Sequence, residues 1–268
     1  MRRCWLPILA MAVLGAAVVP LGAQQWAQAR LQQSPRHRQI VLLHPAGRTV
    51  QAFVAYPQAS GKRPVVLVIH EIFGLSAWAQ EVTDELAAAG YVAIAPDLLS
   101  GKGPNGGGTA SFPSQTAIGR ALVTMPPQEI TADLNAAADW ALRQPASNGK
   151  LYVIGFCWGG GQSFRYATQR RDLAADIVFY GTPPPQAAMR NITAPVYGFY
   201  AGLDARVSLT VPGTRRRMRQ LGKRYQAVIY KGATHGFMRA GEQPHPAPPN
   251  RAARAAAWKQ IRRIIGRY

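Results

Sequence analysis

Val153-Ile154-Gly155-Phe156-Cys157-Trp158-Gly159-Gly160 is an apolar, β-branched run that ends in a small-x-nucleophile-x-small turn and opens straight into a new segment. The pattern has the form of a nucleophile elbow with cysteine where serine usually stands. Flanking glycines let the chain turn sharply from strand to helix, which lifts the Cys157 side chain to the carboxyl edge of a sheet and faces its sulfur toward a helix N-terminus. That positive end favours a thiolate. Taken alone, the same residues also fit a buried structural cysteine beside a tight turn, so the chemical reading depends on partners elsewhere in the chain.

Outward from this stretch, short β-branched runs alternate with longer helical patterns, the signature of a mostly parallel central sheet with helices on both faces. Val65 to Ile69 reads as a fully buried strand. Ser76 then caps a helix with Trp78, Val82, Leu86 and Ala89 on one face, and Gly90 closes it. Tyr91 to Ala95 is the next strand. Ile130, Leu134, Ala137, Ala138, Ala141 and Leu142 form an apolar stripe at helical spacing, and Asn148-Gly149 turns into the nucleophile strand. Ile177 to Tyr180, Val196 to Ala201 and Ala227 to Tyr230 supply three more strands. A last helix runs from about Arg251 to Ile265 with Ala255, Trp258, Ile261 and Ile265 inward, and Val50 to Ala55 alternates in a way that suits an edge strand. The fold class is therefore α/β, with one domain over 50–268 preceded by an approach segment over 30–49. The long stretch 98–127, rich in glycine, is expected to be a lid-like loop, with a disordered insertion as the alternative.

A cysteine elbow needs a base to share the thiol proton and an acid to orient that base. Asp204 lies in Ala201-Gly202-Leu203-Asp204, just past one strand, and His235 lies in Gly232-Ala233-Thr234-His235-Gly236-Phe237, just past the next. Nucleophile, acid, histidine is the order found along α/β-hydrolase chains, and each residue projects at the carboxyl edge of the sheet. Of the five histidines, His37 and His44 lie in the N-terminal approach, His70 ends a strand and His245 lies in a proline run, which leaves His235 as the base. His70-Glu71-Ile72-Phe73-Gly74 follows the buried strand where such folds build half of an oxyanion hole. The backbone N–H groups of Ile72 and Trp158 are the expected donors. Glu71 falls close to Cys157, where a carboxylate can hold the thiol proton in the resting protein; a surface position at a strand end is the plainer alternative.

These segments, together with Tyr91-Val92-Ala93-Ile94-Ala95-Pro96-Asp97-Leu98 and His235-Gly236-Phe237-Met238-Arg239, resemble the dienelactone hydrolase family, the cysteine-nucleophile branch of the α/β-hydrolases, from about Gln51 to Tyr268. The resemblance implies hydrolysis of a small ester or lactone by a Cys157, Asp204 and His235 triad, with no cofactor and no metal. It further implies that Glu71 pairs with the resting thiol until substrate binds, and that Arg239 holds a substrate carboxylate. Arg120 is the candidate for a second carboxylate-binding arginine. A thioesterase or acyltransferase using the same triad is the alternative reaction, and a non-catalytic basic envelope-binding protein the alternative class.

Composition bears on place rather than chemistry. Of 268 residues, 48% are hydrophobic and 16% charged, ordinary for a globular chain. Arg2 and Arg3 precede an apolar run from about Leu6 to Val19 and then small residues, which reads as a signal peptide over 1–29 with cleavage after Ala23 or Ala29. The run is short for a membrane span and contains Pro7 and Pro20. Cleavage removes Cys4 and leaves Cys157 without a disulfide partner in an oxidising compartment, periplasmic or secreted. The net charge of +19 is scattered, with only Arg215-Arg216-Arg217 and Arg262-Arg263 as clusters, and no nucleic-acid motif accompanies it. The expected partner is a small ester or lactone, and the expected state a monomer.

Overall fold

A computed structural model of the chain describes residues 24–266, so most of the expected signal segment, up to residue 23 and including Cys4, lies outside the described residues. The elements in order are α1 (Gln25–Gln33), β1 (Arg38–Leu43), β2 (Val50–Ala55), β3 (Arg63–Ile69), α2 (Ala77–Ala88), β4 (Val92–Pro96), α3 (Gln115–Val123), α4 (Pro127–Leu142), β5 (Ser147–Phe156), α5 (Trp158–Tyr166), β6 (Leu173–Phe179), β7 (Val196–Ala201), α6 (Ala205–Ser208), α7 (Val211–Gln220), β8 (Tyr225–Tyr230), α8 (Phe237–Ala240) and α9 (Pro248–Ile265). The described strands form one sheet in the order β1-β2-β4-β3-β5-β6-β7-β8. β1, β2 and β4 pair antiparallel, and β4 through β8 pair parallel.

Strand alternation splits the core between the two faces. Val66 and Val68 of β3 join one apolar cluster with Trp78, Val82 and Leu86 of α2 and Ala257, Trp258 and Ile261 of α9. Val65, Leu67 and Ile69 join the other with Ile118 and Leu122 of α3 and Ile130, Leu134 and Ala138 of α4. Both faces of β3 are thus buried, as its unbroken apolar run predicts for a central parallel strand. Ser76 caps α2 by accepting from the Ala79 N–H.

Three expectations are corrected. Val50–Ala55 is not the edge strand, because β1 pairs along its outer side. β1 lacks a clear apolar alternation, because Ile40 and Leu42 point to solvent while Leu43 is buried. In α9, Ala253 and Ala257 face inward while Ala255 is exposed, since the buried stripe runs through Asn250, Ala253, Ala257, Trp258, Ile261 and Ile265. The stretch 98–127 is folded: it carries α3, and Leu98, Leu99, Ile118, Leu122 and Met125 are buried in the core. Its glycine run is pinned by Asp97, which accepts from the Thr109 N–H at 2.8 Å, from Thr109 Oγ1 at 2.6 Å and from the Leu99 N–H at 3.0 Å. A Cβ on Gly108 would overlap the Asp97 carboxylate, so glycine is what lets the loop close on it.

Candidate active site

The carboxyl ends of β3, β5, β6, β7 and β8 deliver Glu71 and Ile72, Cys157, Tyr180, Asp204 and His235 to one edge of the sheet. Cys157 sits between β5 and α5 with φ 56° and ψ −117°, a conformation L residues rarely adopt. Close packing holds it there. A Cβ on Gly155 would overlap the Gly159 carbonyl, one on Gly159 the carbonyls of Ile69 and His70, and one on Gly160 the Phe179 carbonyl. The Cys157 N–H donates to the Phe179 carbonyl at 3.0 Å, which locks the turn onto β6.

The structure brings the three predicted residues into one hydrogen-bonded line. Cys157 Sγ lies 3.0 Å from His235 Nε2, and His235 Nδ1 lies 2.6 Å from Asp204 Oδ2. The two loops are tied together by bonds from Gly202 N–H to the Tyr230 carbonyl and from Leu203 N–H to the Ala233 carbonyl, both 2.9 Å. Asn250 of α9 accepts from the Thr234 N–H at 2.9 Å, and the Tyr180 ring lies 5.0 Å from the imidazole. Asp204 is buried, His235 and the thiol half-buried. Burial works against a charge on His235, but its hydrogen bonds with Cys157 and Asp204 outweigh it and lift the imidazole to about 9. The sulfur therefore faces a cation from Nε2 and the positive end of α5.

Glu71 is buried, 2% exposed, and accepts from Arg239 Nε at 2.8 Å. Burial pushes its carboxyl up, opposed by Arg239 and then by His235. In this structure Glu71 is thus paired with Arg239 and the thiol with His235, in place of the Glu71–thiol pair expected from sequence. A guanidinium is the stronger partner for a buried carboxylate, and Arg239 reaches it from one turn beyond His235. Arg239 also lies over the Phe73 ring, 5.1 Å from its centroid.

A cavity of about 380 Å³ opens at the sulfur and is lined by Ile72, Trp158, Tyr180 and the Thr182–Pro185 wall, among others. The two expected oxyanion donors, Ile72 and Trp158, therefore border the same space as Cys157. Gly119 of α3 packs against the Ile72 side chain, which turns its neighbour Arg120 to solvent. Arg120 does not line this cavity; the arginines that do are Arg165 and Arg206, neither singled out from sequence. A signal for Arg165 existed, because Trp158, Gly161, Gln162 and Arg165 fall at i, i+3, i+4 and i+7, one face of α5. His70, at the end of β3, is fully buried and stacks on Trp158.

Two other features stand apart. A larger cavity of about 750 Å³ is lined by Arg48, Lys102, Glu129 and Asp133 and contains none of the strand-end residues. Among the described residues, Glu81, Glu85 and Glu242 bring ligand atoms within 4.8 Å of one another, but Arg254 and Arg30 already pair with these carboxylates. No helix among the described residues is long and apolar enough to cross a membrane.

The sequence model of the "Dienelactone hydrolase family" matches residues 50–268. The proteins named "Putative carboxymethylenebutenolidase" from Salmonella typhi and from Escherichia coli (strain K12) are 33% identical over 211 residues and 31% over 204. These alignments span 74% and 71% of this chain, and 77% and 74% of those proteins. A crystal structure described as "Putative Dienelactone Hydrolase" from Klebsiella pneumoniae superposes with a TM-score of 0.76 at 26% identity, covering 87% of this chain and 99% of that one.

Proposed function

The chain belongs to the dienelactone hydrolase family and is a hydrolase, and on that premise we propose that it cleaves small esters or lactones through a thioester formed on Cys157. The observation that carries this reading is the continuous hydrogen-bonded line from sulfur through imidazole to a buried carboxylate, 3.0 Å and 2.6 Å in its two steps. The cavity beside it, about 380 Å³, suits a small substrate.

Sγ attacks the carbonyl carbon, and the developing oxyanion accepts hydrogen bonds from the N–H groups of Ile72 and Trp158. Each such donor is worth roughly 3 to 4 kcal/mol in the transition state. Collapse of the tetrahedral adduct breaks the ester C–O bond, and the leaving oxygen takes the proton held on His235 Nε2. His235 then removes a proton from water as its oxygen attacks the thioester carbonyl, and collapse of this second tetrahedral adduct breaks the C–S bond, releases the acid and leaves the sulfur beside the imidazolium again. Asp204 holds the imidazole in the tautomer and orientation this requires. Arg239 is the carboxylate-binding residue that the family implies. Here Glu71 occupies it, so a substrate carboxylate on Arg239 displaces Glu71 from that guanidinium.

Export belongs to the same reading. Trp26 and Ala27 of α1 pack against the core, and Arg30 pairs with Glu242. Cleavage after Ala23 leaves α1 whole, whereas cleavage after Ala29 would divide it.

The test is p-nitrophenyl acetate turnover with mass spectrometry of the quenched protein. The wild type is expected to carry an acetyl group on Cys157, and Cys157→Ala to lose turnover. Undiminished turnover in Cys157→Ala would remove the nucleophile assignment.

A further inference from the structure

The stretch that follows Asp204 carries charge with no counterpart. Residues 205–231 hold eight arginines and lysines and no acidic residue. None of the eight forms an ion pair with a carboxylate among the described residues. Four of them, Arg215, Arg219, Lys223 and Arg224, line one surface depression of about 450 Å³ at the end of α7.

Exposed aliphatic side chains accompany these cations. Seven large apolar residues are exposed among the described residues, and four of them, Leu203, Leu209, Val228 and Ile229, fall in this region, with Leu209 at 78%. Leu203, Arg206 and Leu209 recur every third residue around the single turn of α6, which leaves all three outside while Asp204 and Val207 are buried. β8 is an edge strand of the sheet. α7 packs along it through Val211 and Met218, both in contact with the cluster around Tyr225, and Arg215 donates to the Ala227 carbonyl at 3.1 Å. Cations and aliphatics therefore share one side of the molecule.

Charge decides what covers that side. A second copy of this chain paired along β8 would set eight unpaired cations against eight more, a repulsion that opposes edge-to-edge pairing. A polynucleotide answers the charge but stacks its bases on aromatic side chains, and the tyrosines at the two ends of β8 are half-buried. An anionic bilayer answers both features, with phosphates for the guanidinium groups and an acyl boundary for the leucines.

We propose that α6, α7 and β8 form a docking face for an anionic phospholipid surface, with Leu203 and Leu209 entering the headgroup boundary and the arginines of the depression holding lipid phosphates. Arg206 also borders the cavity at Cys157, so docking brings that cavity to the lipid. The face does not rest on the assignment of Cys157 as nucleophile, and Cys157→Ala is expected to dock as the wild type does.

The apolar run from Leu6 to Val19 can itself enter a bilayer, so the test is local. Hydrogen exchange of the amides of residues 203–231 is followed in the full chain with vesicles of phosphatidylcholine, and with vesicles containing one-third phosphatidylglycerol. Exchange is expected to slow only on the phosphatidylglycerol vesicles, and the effect to disappear at high salt. The docking equilibrium read from that protection is expected to fall about twentyfold in Arg215→Gln/Arg219→Gln, roughly fivefold for each cation removed from the surface. In Leu203→Ser/Leu209→Ser it is expected to fall about tenfold. All four positions are exposed, and thermal melts confirm that each variant is folded. Equal exchange on the two kinds of vesicle, protection unchanged in either double variant, or a dimer in solution that protects β8 without lipid would overturn the docking face.

Discussion

Replacing Asp204 with asparagine keeps the shape of the side chain and removes its charge, which isolates what that carboxylate does for His235. The imidazole stands at about 9 against an ordinary value of 6.5, with burial opposing the rise and the bonds to Cys157 and Asp204 driving it. At about 1.4 kcal/mol for each tenfold change in proton affinity, this corresponds to roughly 3 kcal/mol. The His235 side chain is 33% exposed, and solvent screening reduces the contribution to about 1.5 to 2 kcal/mol. Because the folded pKa lies above the unfolded one, this stability is fully present below about pH 6.5 and is lost as the pH rises through about 9. Asp204 supplies one of the two partners, so Asp204→Asn is expected to be less stable than wild type by about 1 kcal/mol at pH 6 and to converge with it above pH 9. Urea unfolding across that range measures the difference, and NMR titration of the histidine ring protons follows His235 directly. An equal deficit at pH 6 and above pH 9 would show that Asp204 acts through packing and not through charge, and would refute the reasoning.

Other perturbations read other parts of the site. Arg239→Ala leaves Glu71 buried without its cation and is expected to cost about 3 to 5 kcal/mol at neutral pH. Burial already raises the Glu71 carboxyl above its ordinary value, so the folded variant holds a proton that the unfolded chain releases. Its stability should fall as the pH rises above about 4.5, and thermal scans in acid and at pH 8 should show the deficit growing. Gly159→Ala forces a methyl group against the Ile69 and His70 carbonyls, and is expected to lower stability by about 1 to 3 kcal/mol and to depress ester turnover; an unchanged melting temperature with normal turnover would contradict the packing. N-terminal sequencing of protein recovered from outside the cytoplasm is expected to begin at Gln24, and a start at Arg30 would show that α1 is dispensable.

The sheet and the three strand-end residues were legible because each rests on a local signal: a β-branched run, then a small-residue turn, then a polar side chain. The line through Cys157, His235 and Asp204 needs only that strands end at one edge, which parallel pairing guarantees. What escaped depends on contacts between distant segments. Arg120 was the counterpart suggested by the family resemblance for a second carboxylate-binding arginine, yet the phase of α3 turns Gly119 toward Ile72 and the arginine outward. Arg206 lines the cavity only because β6 and β7 lie side by side, bringing the Thr182–Pro185 wall near Asp204. The partner of Glu71 depended on which of two groups wins a buried carboxylate, a contest decided by charge and reach rather than by sequence order. β1 was missed because its exposed Ile40 and Leu42 invert the usual pattern.

The backbone at position 157, with φ 56° on a residue that carries a Cβ, costs about 1 to 3 kcal/mol that the surrounding glycine contacts must offset. Thermostability and turnover are therefore set against each other at a single residue. Glycine there would relax the elbow and yield a more heat-resistant but inert scaffold, so variants selected for thermal tolerance alone should drift toward losing the sulfur.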